Sequence, residues 1–266
     1  MIKFFLKKNF CDIWDNLFYL ILNNIIPVAV IAAFWITLKS VPDQSALVST
    51  VVSSAFFCIL QWILFAWGAN ARKIADFNAP SWNLFFKSLK ATFLPGTGLG
   101  LLISFLYVVT IISVPYYLNV YSSGNIIGIL FVALICWFML ITACALQWFI
   151  PLYFLQEENT FFKCLKKSFI IFFDNGMFSF GMLVHNLALL ILTILTFGLI
   201  PGLNGITLSC MNALRLRLYK YDWLEENPEY YNDKDKRKEV PWDSLIAEDK
   251  ECLGSRKLSS FLFPWK

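Results

Sequence analysis

The sequence predicts an all-α integral membrane protein, in which six transmembrane helices form three tandem parallel helix-pair repeats with cytoplasmic amphipathic elbows. Composition is the first observation behind this prediction, because 58% of the 266 residues are hydrophobic and only 15% are charged. Soluble domains average about 45–50% apolar and about 25% charged residues, and a soluble fold cannot hide such an apolar excess from water. The distribution of charges and an internal repeat are the second and third observations.

Long uncharged stretches define the spans. They separate Asp15 from Lys39, Asp43 from Arg72, Lys90 from Glu157, and Asp174 from Arg215. A helical span needs roughly 20 apolar residues, and a backbone in hydrocarbon must pair its own polar groups, so each span is expected to be helical. The predicted spans cover residues 17–38, 46–69, 96–115, 126–155, 177–197 and 203–218.

The number of spans depends on the sixth, which is short and ends with Arg215 and Arg217. It follows a Gly198-Leu199-Ile200-Pro201-Gly202 break that is equally typical of a re-entrant segment. Cytoplasmic loops carry an excess of Lys and Arg. With six spans, all of the 22 Lys and Arg residues except Lys39 lie on one side, whereas five spans divide them between both sides. We therefore expect six spans, an uncleaved first span and both termini in the cytoplasm.

An internal repeat independently requires six spans. The segment Asn83-Leu-Phe-Phe-Lys-Ser-Leu-Lys-Ala-Thr-Phe93 shares Asn, Phe-Phe-Lys, Leu-Lys and Phe at the same spacing with Asn159-Thr-Phe-Phe-Lys-Cys-Leu-Lys-Lys-Ser-Phe169. Likewise, Cys58-Ile-Leu-Gln-Trp62 matches Cys144-Ala-Leu-Gln-Trp148, and Lys7-Lys8 with Asp15-Asn16 forms a fainter third copy. The predicted repeat units are about 1–69, 80–155 and 157–219, and their common direction makes the repeat parallel rather than inverted.

The repeated Phe-Phe-Lys segments predict amphipathic helices at the membrane surface. Phe and Leu fall on one helical face and Lys on another, and Asn83 and Asn159 are expected N-caps. Such a helix places rings at the acyl boundary and ammonium groups among anionic headgroups. The candidate headgroup contacts are Lys87, Lys90, Lys163, Lys166 and Lys167. The alternative is that these lysines only flank the spans and set the topology.

After Tyr219 the composition changes, so residues 1–219 are expected to form the membrane domain and residues 220–266 a charged cytoplasmic tail. The stretch 229–239 is predicted to be solvated. The aromatic end, residues 256–266, is expected to dock on the inner membrane surface or on a protein partner, because an apolar cluster at a free terminus is costly in water.

Polar side chains inside the spans are the candidates for a site. His185 is the sole histidine, and an ionisable residue inside the membrane is a functional candidate by default. A proton relay needs acidic partners that the spans lack, which favours a neutral His bonded to a neighbouring helix. Amides either line a small neutral cavity or tie helices together. The candidate intramembrane cluster is Asn23, Gln61, Gln147, His185 and Asn186.

The other motifs favour structural roles. The seven cysteines show no Cys-x-x-Cys or metal-like spacing. Gly96 and Gly100 lack the preceding strand and following Gly-Lys-Ser/Thr of a phosphate loop, and with Ser104 they predict close helix packing instead. No nucleophile, base and orienting group can be assembled. We expect no enzymatic activity, no cofactor, no metal and no nucleic-acid partner.

Three segments resemble the YesL-like family of uncharacterised bacterial multi-pass membrane proteins. They are Phe10-Cys-Asp-Ile-Trp-Asp-Asn-Leu-Phe-Tyr-Leu-Ile-Leu-Asn-Asn24, Phe85-Phe-Lys-Ser-Leu-Lys90 and Phe263-Pro-Trp-Lys266. The resemblance spans most of the chain and implies a bacterial inner-membrane protein with an accessory role beside carbohydrate-uptake ABC systems. The family supplies no catalytic residues. Neither elbow shows the Glu-Ala-Ala…Gly pattern that ABC permeases present to their ATPases, which argues against autonomous uptake.

Two classes of function follow from the sequence. The first is a non-enzymatic accessory or scaffolding protein whose elbows and tail contact another membrane or cytoplasmic protein. The second is a facilitator or channel for a small neutral solute, with amides and His185 along its path. The lipid bilayer is the expected environment in both cases.

Overall fold

A computed structural model describes residues 1–40, 46–157, 159–231 and 239–256 of the chain. Within these ranges the regular secondary structure is helical throughout, which confirms the predicted all-α class. The helices are α1 Ile2–Asp15, α2 Leu17–Ser40, α3 Ala46–Ala75, α4 Trp82–Ala91, α5 Phe93–Ser122, α6 Ile127–Leu146, α7 Phe149–Leu155, α8 Phe161–Asp174, α9 Gly176–Leu195, α10 Gly202–Glu226, α11 Pro228–Tyr231, α12 Trp242–Leu245 and α13 Ala247–Leu253.

Five helical segments in the described ranges are long and apolar enough to cross a membrane, as expected for a multi-pass membrane protein. They are Leu17–Ser40, Leu47–Ala75, Phe93–Ser122, Ile127–Leu155 and Gly176–Leu195. Large apolar side chains along them remain exposed on the folded protein, including Phe18 and Ile194. A surface of this kind is suited to hydrocarbon rather than to water.

The sixth predicted span, 203–218, lies within α10, which is not among these five segments. Most of α10 from Gly202 to Leu216 is buried against other helices, chiefly α3 and α9. A helix that packs against other helices faces little lipid, so it does not need an apolar surface all round. Asn204, Asn212 and the charged residues that follow Leu214 lower the mean hydropathy of α10.

The fourth predicted span, 126–155, consists of two helices, α6 and α7, separated at Gln147 and Trp148. The Trp148 indole N–H donates to Ser179 Oγ at 3.0 Å, at the start of α9. The corresponding residue of the sequence repeat, Trp62, donates to the Leu89 carbonyl of α4 at 2.7 Å. Each Trp therefore fixes a membrane-length segment to a later part of the chain.

Close packing of α3 and α5 along Gly96, Gly100 and Ser104 is confirmed. A Cβ atom on Gly100 would lie 2.4 Å from the Cα atom of Cys58, and one on Gly96 would lie 2.7 Å from that of Trp62. One turn further along, Ser104 Oγ donates to Ser54 Oγ at 2.6 Å. Small residues let the two backbones approach, and the Ser104–Ser54 hydrogen bond extends this contact by one turn. We call the contact of α3 with α5 along Gly96, Gly100 and Ser104 the seam.

The expected N-caps, Asn83 and Asn159, were wrong by one or two residues. Ser81 caps α4 by accepting from the Leu84 N–H, and Thr160 caps α8 by accepting from the Lys163 N–H. Asn159 instead donates to the Leu152 carbonyl at 2.8 Å and so closes the connection from α7. Hydroxyl residues near these asparagines compete for the capping position because they satisfy the same N–H groups.

Candidate functional site

A buried ion pair lies where α1 packs against α10. Lys8 and Asp12 are one helical turn apart in α1, and Lys8 Nζ is 3.0 Å from Asp12 Oδ2. Asn212 of α10 donates to the same Asp12 oxygen at 2.8 Å. The Phe77 ring covers the ammonium group with its centroid 3.6 Å from Lys8 Nζ. We call these four residues the junction.

The electrostatics of the junction are dominated by burial. Lys8 is fully buried and Asp12 is 6% exposed. Burial raises the pKa of the Asp12 carboxyl and lowers the pKa of the Lys8 ammonium, and attraction within the pair opposes both shifts. Phe77 follows α3 with a positive φ of 58°, a conformation that is rare for a bulky residue. Backbone strain at such a position indicates that the surrounding packing requires it.

A second set of ion pairs joins three parts of the chain beside the junction. Arg215 of α10 contacts Asp76, just after α3, at 2.9 Å and Asp249 of α13 at 2.7 Å. The guanidinium binds both oxygens of Asp249, with a second contact of 3.1 Å. Planar two-point contacts of this kind are stronger and more specific than a single contact.

The part of the tail described by the structure, residues 239–256, packs on the helical body, and we call it the docked segment. Ile246 and Leu253 are buried in the same apolar cluster as Phe4 and Phe5 of α1. Lys7 Nζ donates to the Gly254 carbonyl at 3.0 Å, and Arg256 pairs with Asp15. The predicted docking end beyond Arg256 lies outside the described residues, as does 232–238 of the stretch expected to be solvated.

His185 is connected to the junction through two amides. Its Nε2 lies 3.4 Å from Asn9 Nδ2, and the Phe5 ring meets the imidazole edge to face. Asn9 Oδ1 accepts from Asn212, which in turn donates to Asp12. The predicted spans hold no acidic residue, but Asp12 of α1 is thus linked to His185 through the side chains of Asn9 and Asn212.

Three of the five predicted amide and histidine residues share one cavity. Gln61, Gln147 and Asn186 line a space of about 300 Å³ between α3, α5, α6, α7, α9 and α10. Asn186 Nδ2 donates to Gln147 Oε1 at 3.2 Å and to Cys210 Sγ at 3.1 Å. Gln147 Nε2 donates to the Ser179 carbonyl at 2.8 Å. His185 lies outside this cavity, next to α1.

Asn23 also lies elsewhere, where its amide donates to the Tyr19 carbonyl within α2 at 3.1 Å. The neighbouring Asn24 has a larger role that the sequence analysis missed. Its Nδ2 donates to the carbonyls of Leu199 and Pro201, and its Oδ1 accepts from the Asn204 N–H. Asn24 thereby holds the Gly-Pro break before α10 against α2.

Four of the five lysines predicted to contact headgroups are exposed on α4 and α8, namely Lys87, Lys90, Lys163 and Lys166. Beside them Phe86 and Phe162 are exposed as well. Lys167 differs, because its ammonium group donates to Gln156 Oε1 at 2.7 Å and to Asn159 Oδ1 at 3.1 Å. Lys167 therefore closes the connection between α7 and α8.

Sequence reasoning missed the junction because Lys8 and Asp12 look like ordinary topology-setting charges. The available signal was their spacing of four residues inside a Phe-rich amphipathic segment, which allows an ion pair on one helical face. Nothing in a single sequence relates them to Asn212, some two hundred residues away.

Comparison with known proteins finds no matching family model, curated protein or solved structure. Over the described ranges, no group of three or more His, Cys, Asp and Glu residues is placed to hold a metal ion.

Proposed function

We propose that this chain is a non-enzymatic bacterial inner-membrane protein with an accessory or scaffolding function, and that its cytoplasmic face is the contact surface for a protein partner. The observation that carries the proposal is the docked segment, held by the two-point pairing of Arg215 with Asp249. Ordering a charged segment costs conformational entropy. Because the docked segment is already ordered, a partner that binds it does not lose this entropy again on binding. A tail that served only to set topology would not need this anchoring.

The proposed topology has six crossings with both termini in the cytoplasm. Contacts of Lys7 with Gly254 and of Asp15 with Arg256 support it, because they bring the start of the chain next to residues that follow α10. Two segments on one side of a bilayer are joined by an even number of crossings, and α10 is the helix available for the sixth. The positive-inside distribution assigns that side to the cytoplasm.

The order of the helices supports three tandem repeats. A shorter helix with two or more lysines precedes two membrane-length segments in α1–α3 and in α4–α7, and α8 precedes α9 and α10 in the same way. The repeated Gln61 and Gln147 line one cavity, as neighbouring copies around a common axis would allow. The exposed lysines of α4 and α8 are proposed to contact anionic headgroups.

The resemblance to the YesL-like family supports an accessory role beside carbohydrate-uptake ABC transport. The partner would then be a membrane or cytoplasmic component of such a system.

Site-specific photocrosslinking tests the scaffolding proposal. A photoreactive residue is placed in cells at exposed Glu248 of α13 and, as a control, at exposed Phe18 of α2. We expect one discrete crosslinked protein from position 248 and lipid or no protein from position 18. Asp249→Asn should abolish the crosslink, whereas Glu251→Gln, which removes an exposed charge from the same helix, should retain it. Equal crosslinking in both variants would contradict the proposal.

A facilitator for a small neutral solute is the second candidate, favoured by the amide-lined cavity. Counterflow of glycerol, erythritol and a monosaccharide in proteoliposomes separates the two candidates. Saturable flux by the purified protein would overturn the accessory assignment, and flux equal to that of empty liposomes agrees with it.

A further inference from the structure

Arg217 of α10 carries a charge that no other described residue balances. Its side chain is half-buried, and it forms neither an ion pair nor a hydrogen bond with the described residues. Arg215, two residues earlier, lies on another side of the helix and is paired with both Asp76 and Asp249. A partly buried charge without a counter-charge is costly, so an anion supplied from outside the chain is favoured beside Arg217.

Aromatic rings, rather than carboxylates, hold the guanidinium group of Arg217. Its Cζ atom lies 3.8 Å from the centroid of the Phe178 ring, at the start of α9, and 5.9 Å from that of the Trp242 ring in α12. Nε is the one guanidinium nitrogen that is enclosed without an acceptor, so the two Nη groups are the accessible donors. Stacking on a ring orients the planar group and leaves these donors available for a two-point contact with a phosphate.

Asp174, the acidic residue whose charge acts on Arg217, is already partnered. Its carboxylate lies 3.7 Å from Lys220 Nζ and accepts from the Tyr221 hydroxyl at 2.6 Å. These contacts offset its negative charge, so Asp174 neither pairs with Arg217 nor prevents the approach of another anion.

The surroundings of Arg217 favour a lipid phosphate as this anion. Met177 and Phe180, on either side of Phe178 in α9, are exposed, as is Phe173 in the last turn of α8. Exposed apolar side chains beside a cation are typical of the boundary between acyl chains and headgroups. Arginines near the ends of membrane helices extend their charged groups to that level.

We infer that Arg217 binds the phosphate group of an anionic phospholipid through its two Nη groups, with the acyl chains along Phe173, Met177 and Phe180. The site differs from the exposed lysines of α4 and α8, because its cation is half-buried and stacked on a ring. Placement of this lipid in the inner leaflet rests on the proposed topology, but the binding itself requires neither a protein partner nor transport. Failure of the crosslinking or counterflow experiments therefore leaves the inference standing.

Photolabelling with a matched pair of lipid probes tests the site. The purified protein in phosphatidylcholine nanodiscs is labelled with phosphatidylglycerol that carries a diazirine next to its headgroup, or with the corresponding phosphatidylcholine probe, and modified peptides are mapped by mass spectrometry. The anionic probe should label 176–182 and 240–245 about tenfold more, since a hydrogen bond to a charged group is worth about that factor. Unlabelled phosphatidylglycerol should compete, whereas millimolar inorganic phosphate and a glutamate-rich peptide should not.

Two variants and one control complete the test. Arg217→Gln should remove the preference for the anionic probe at 176–182 and 240–245, while labelling of 85–90 and 161–167, which reports on the lysines of α4 and α8, should persist. Phe178→Leu keeps the charge but removes the ring, and should lower the preference severalfold. Arg256→Gln removes a guanidinium group that pairs with Asp15 and should leave the preference unchanged.

Size-exclusion profiles verify that each variant folds, and Phe178→Leu decides the matter if Arg217→Gln does not fold. Equal labelling of 176–182 and 240–245 by both probes in the unaltered protein would overturn the inference. Competition by inorganic phosphate would overturn it as well, by assigning Arg217 to a soluble anion, and competition by the peptide would assign it to a protein carboxylate.

Discussion

The junction shows how single residues lock a terminal helix to the core of a membrane protein. Lys8 and Asp12 are both buried, and burial opposes the charge on each. Their mutual attraction and the hydrogen bond from Asn212 to Asp12 offset the free-energy cost of removing both charges from water. The pair therefore favours one register of α1 on α10 more than it adds net stability.

Removing one member of the pair should be far worse than removing both. Lys8→Met leaves the Asp12 carboxylate buried without its counter-charge and should cost about 3–5 kcal/mol. The double variant Lys8→Met, Asp12→Leu should recover most of that loss, because two apolar side chains replace two desolvated charges. Steric trapping in detergent micelles measures the unfolding free energy of each variant, and additive losses would refute this account.

Two adjacent asparagines provide a second comparison at the residue scale. Asn24→Leu removes the hydrogen bonds that hold Leu199, Pro201 and Asn204, and should cost about 2–3 kcal/mol by orphaning buried backbone groups. Asn23→Leu removes one bond within α2, and its buried Oδ1 has no donor among the described residues, so little change is expected. Thermal aggregation curves of the two proteins should separate clearly, and curves that coincide would show that the loop does not depend on Asn24.

At the scale of helices, the seam between α3 and α5 depends on glycines, which have no side chain to hold the backbones apart. Gly100→Ala places a methyl group 2.4 Å from the Cys58 backbone, so the helices must separate, at a cost of about 1–3 kcal/mol. Gly181→Ala in α9 is the control, since a Cβ there meets none of the described atoms within 4 Å, and its better helix propensity should add about 0.5–1 kcal/mol. Both variants can be compared by resistance to unfolding in sodium dodecyl sulfate. A Gly100→Ala protein as stable as the parent would mean that the seam is looser than described.

The helices differ in how far the sequence alone predicts them. Five membrane-length segments and the elbow helices α4 and α8 follow from hydropathy, charge gaps and amphipathic spacing, because lipid and headgroups select those patterns directly. α10 is harder to predict from hydropathy, since its neighbours are other helices, and only the charge asymmetry and the internal repeat indicate it. Gln61, Gln147 and Asn186 could be named as amides inside spans, but their common cavity depends on helix rotation and on the α6–α7 break.

At the scale of the whole molecule, α1 and the docked segment stabilise one another. The docked segment contacts α1 through Gly254 and Arg256, and α10 through Asp249. Ile246 and Leu253 bury apolar surface beneath these contacts. The sequence predicts a charged tail but not the docking of residues 239–256. Docking depends on pairs of residues far apart in the chain, which a single sequence does not relate to one another.

Release of the docked segment should be visible in amide exchange. Asp249→Asn weakens the two-point pairing with Arg215 and should raise exchange rates across 246–254 by about tenfold or more, as local opening becomes easier. Asp243→Asn is the matched control, because Asp243 is almost fully exposed and pairs only with nearby Lys250 among the described contacts. Exchange that rises equally in both variants would indicate that Arg215 does not anchor the segment.

In the proposed topology, α10 makes the sixth crossing and returns the chain to the cytoplasm, where the docked segment forms a contact surface. Reporter fusions after Phe197 and after Lys266 test it most directly, with alkaline phosphatase active only outside the inner membrane and green fluorescent protein fluorescent only inside. We expect active phosphatase after Phe197, and a fluorescent fusion with inactive phosphatase after Lys266. Active phosphatase after Lys266 would contradict the sixth crossing, the three-repeat arrangement and the cytoplasmic surface together.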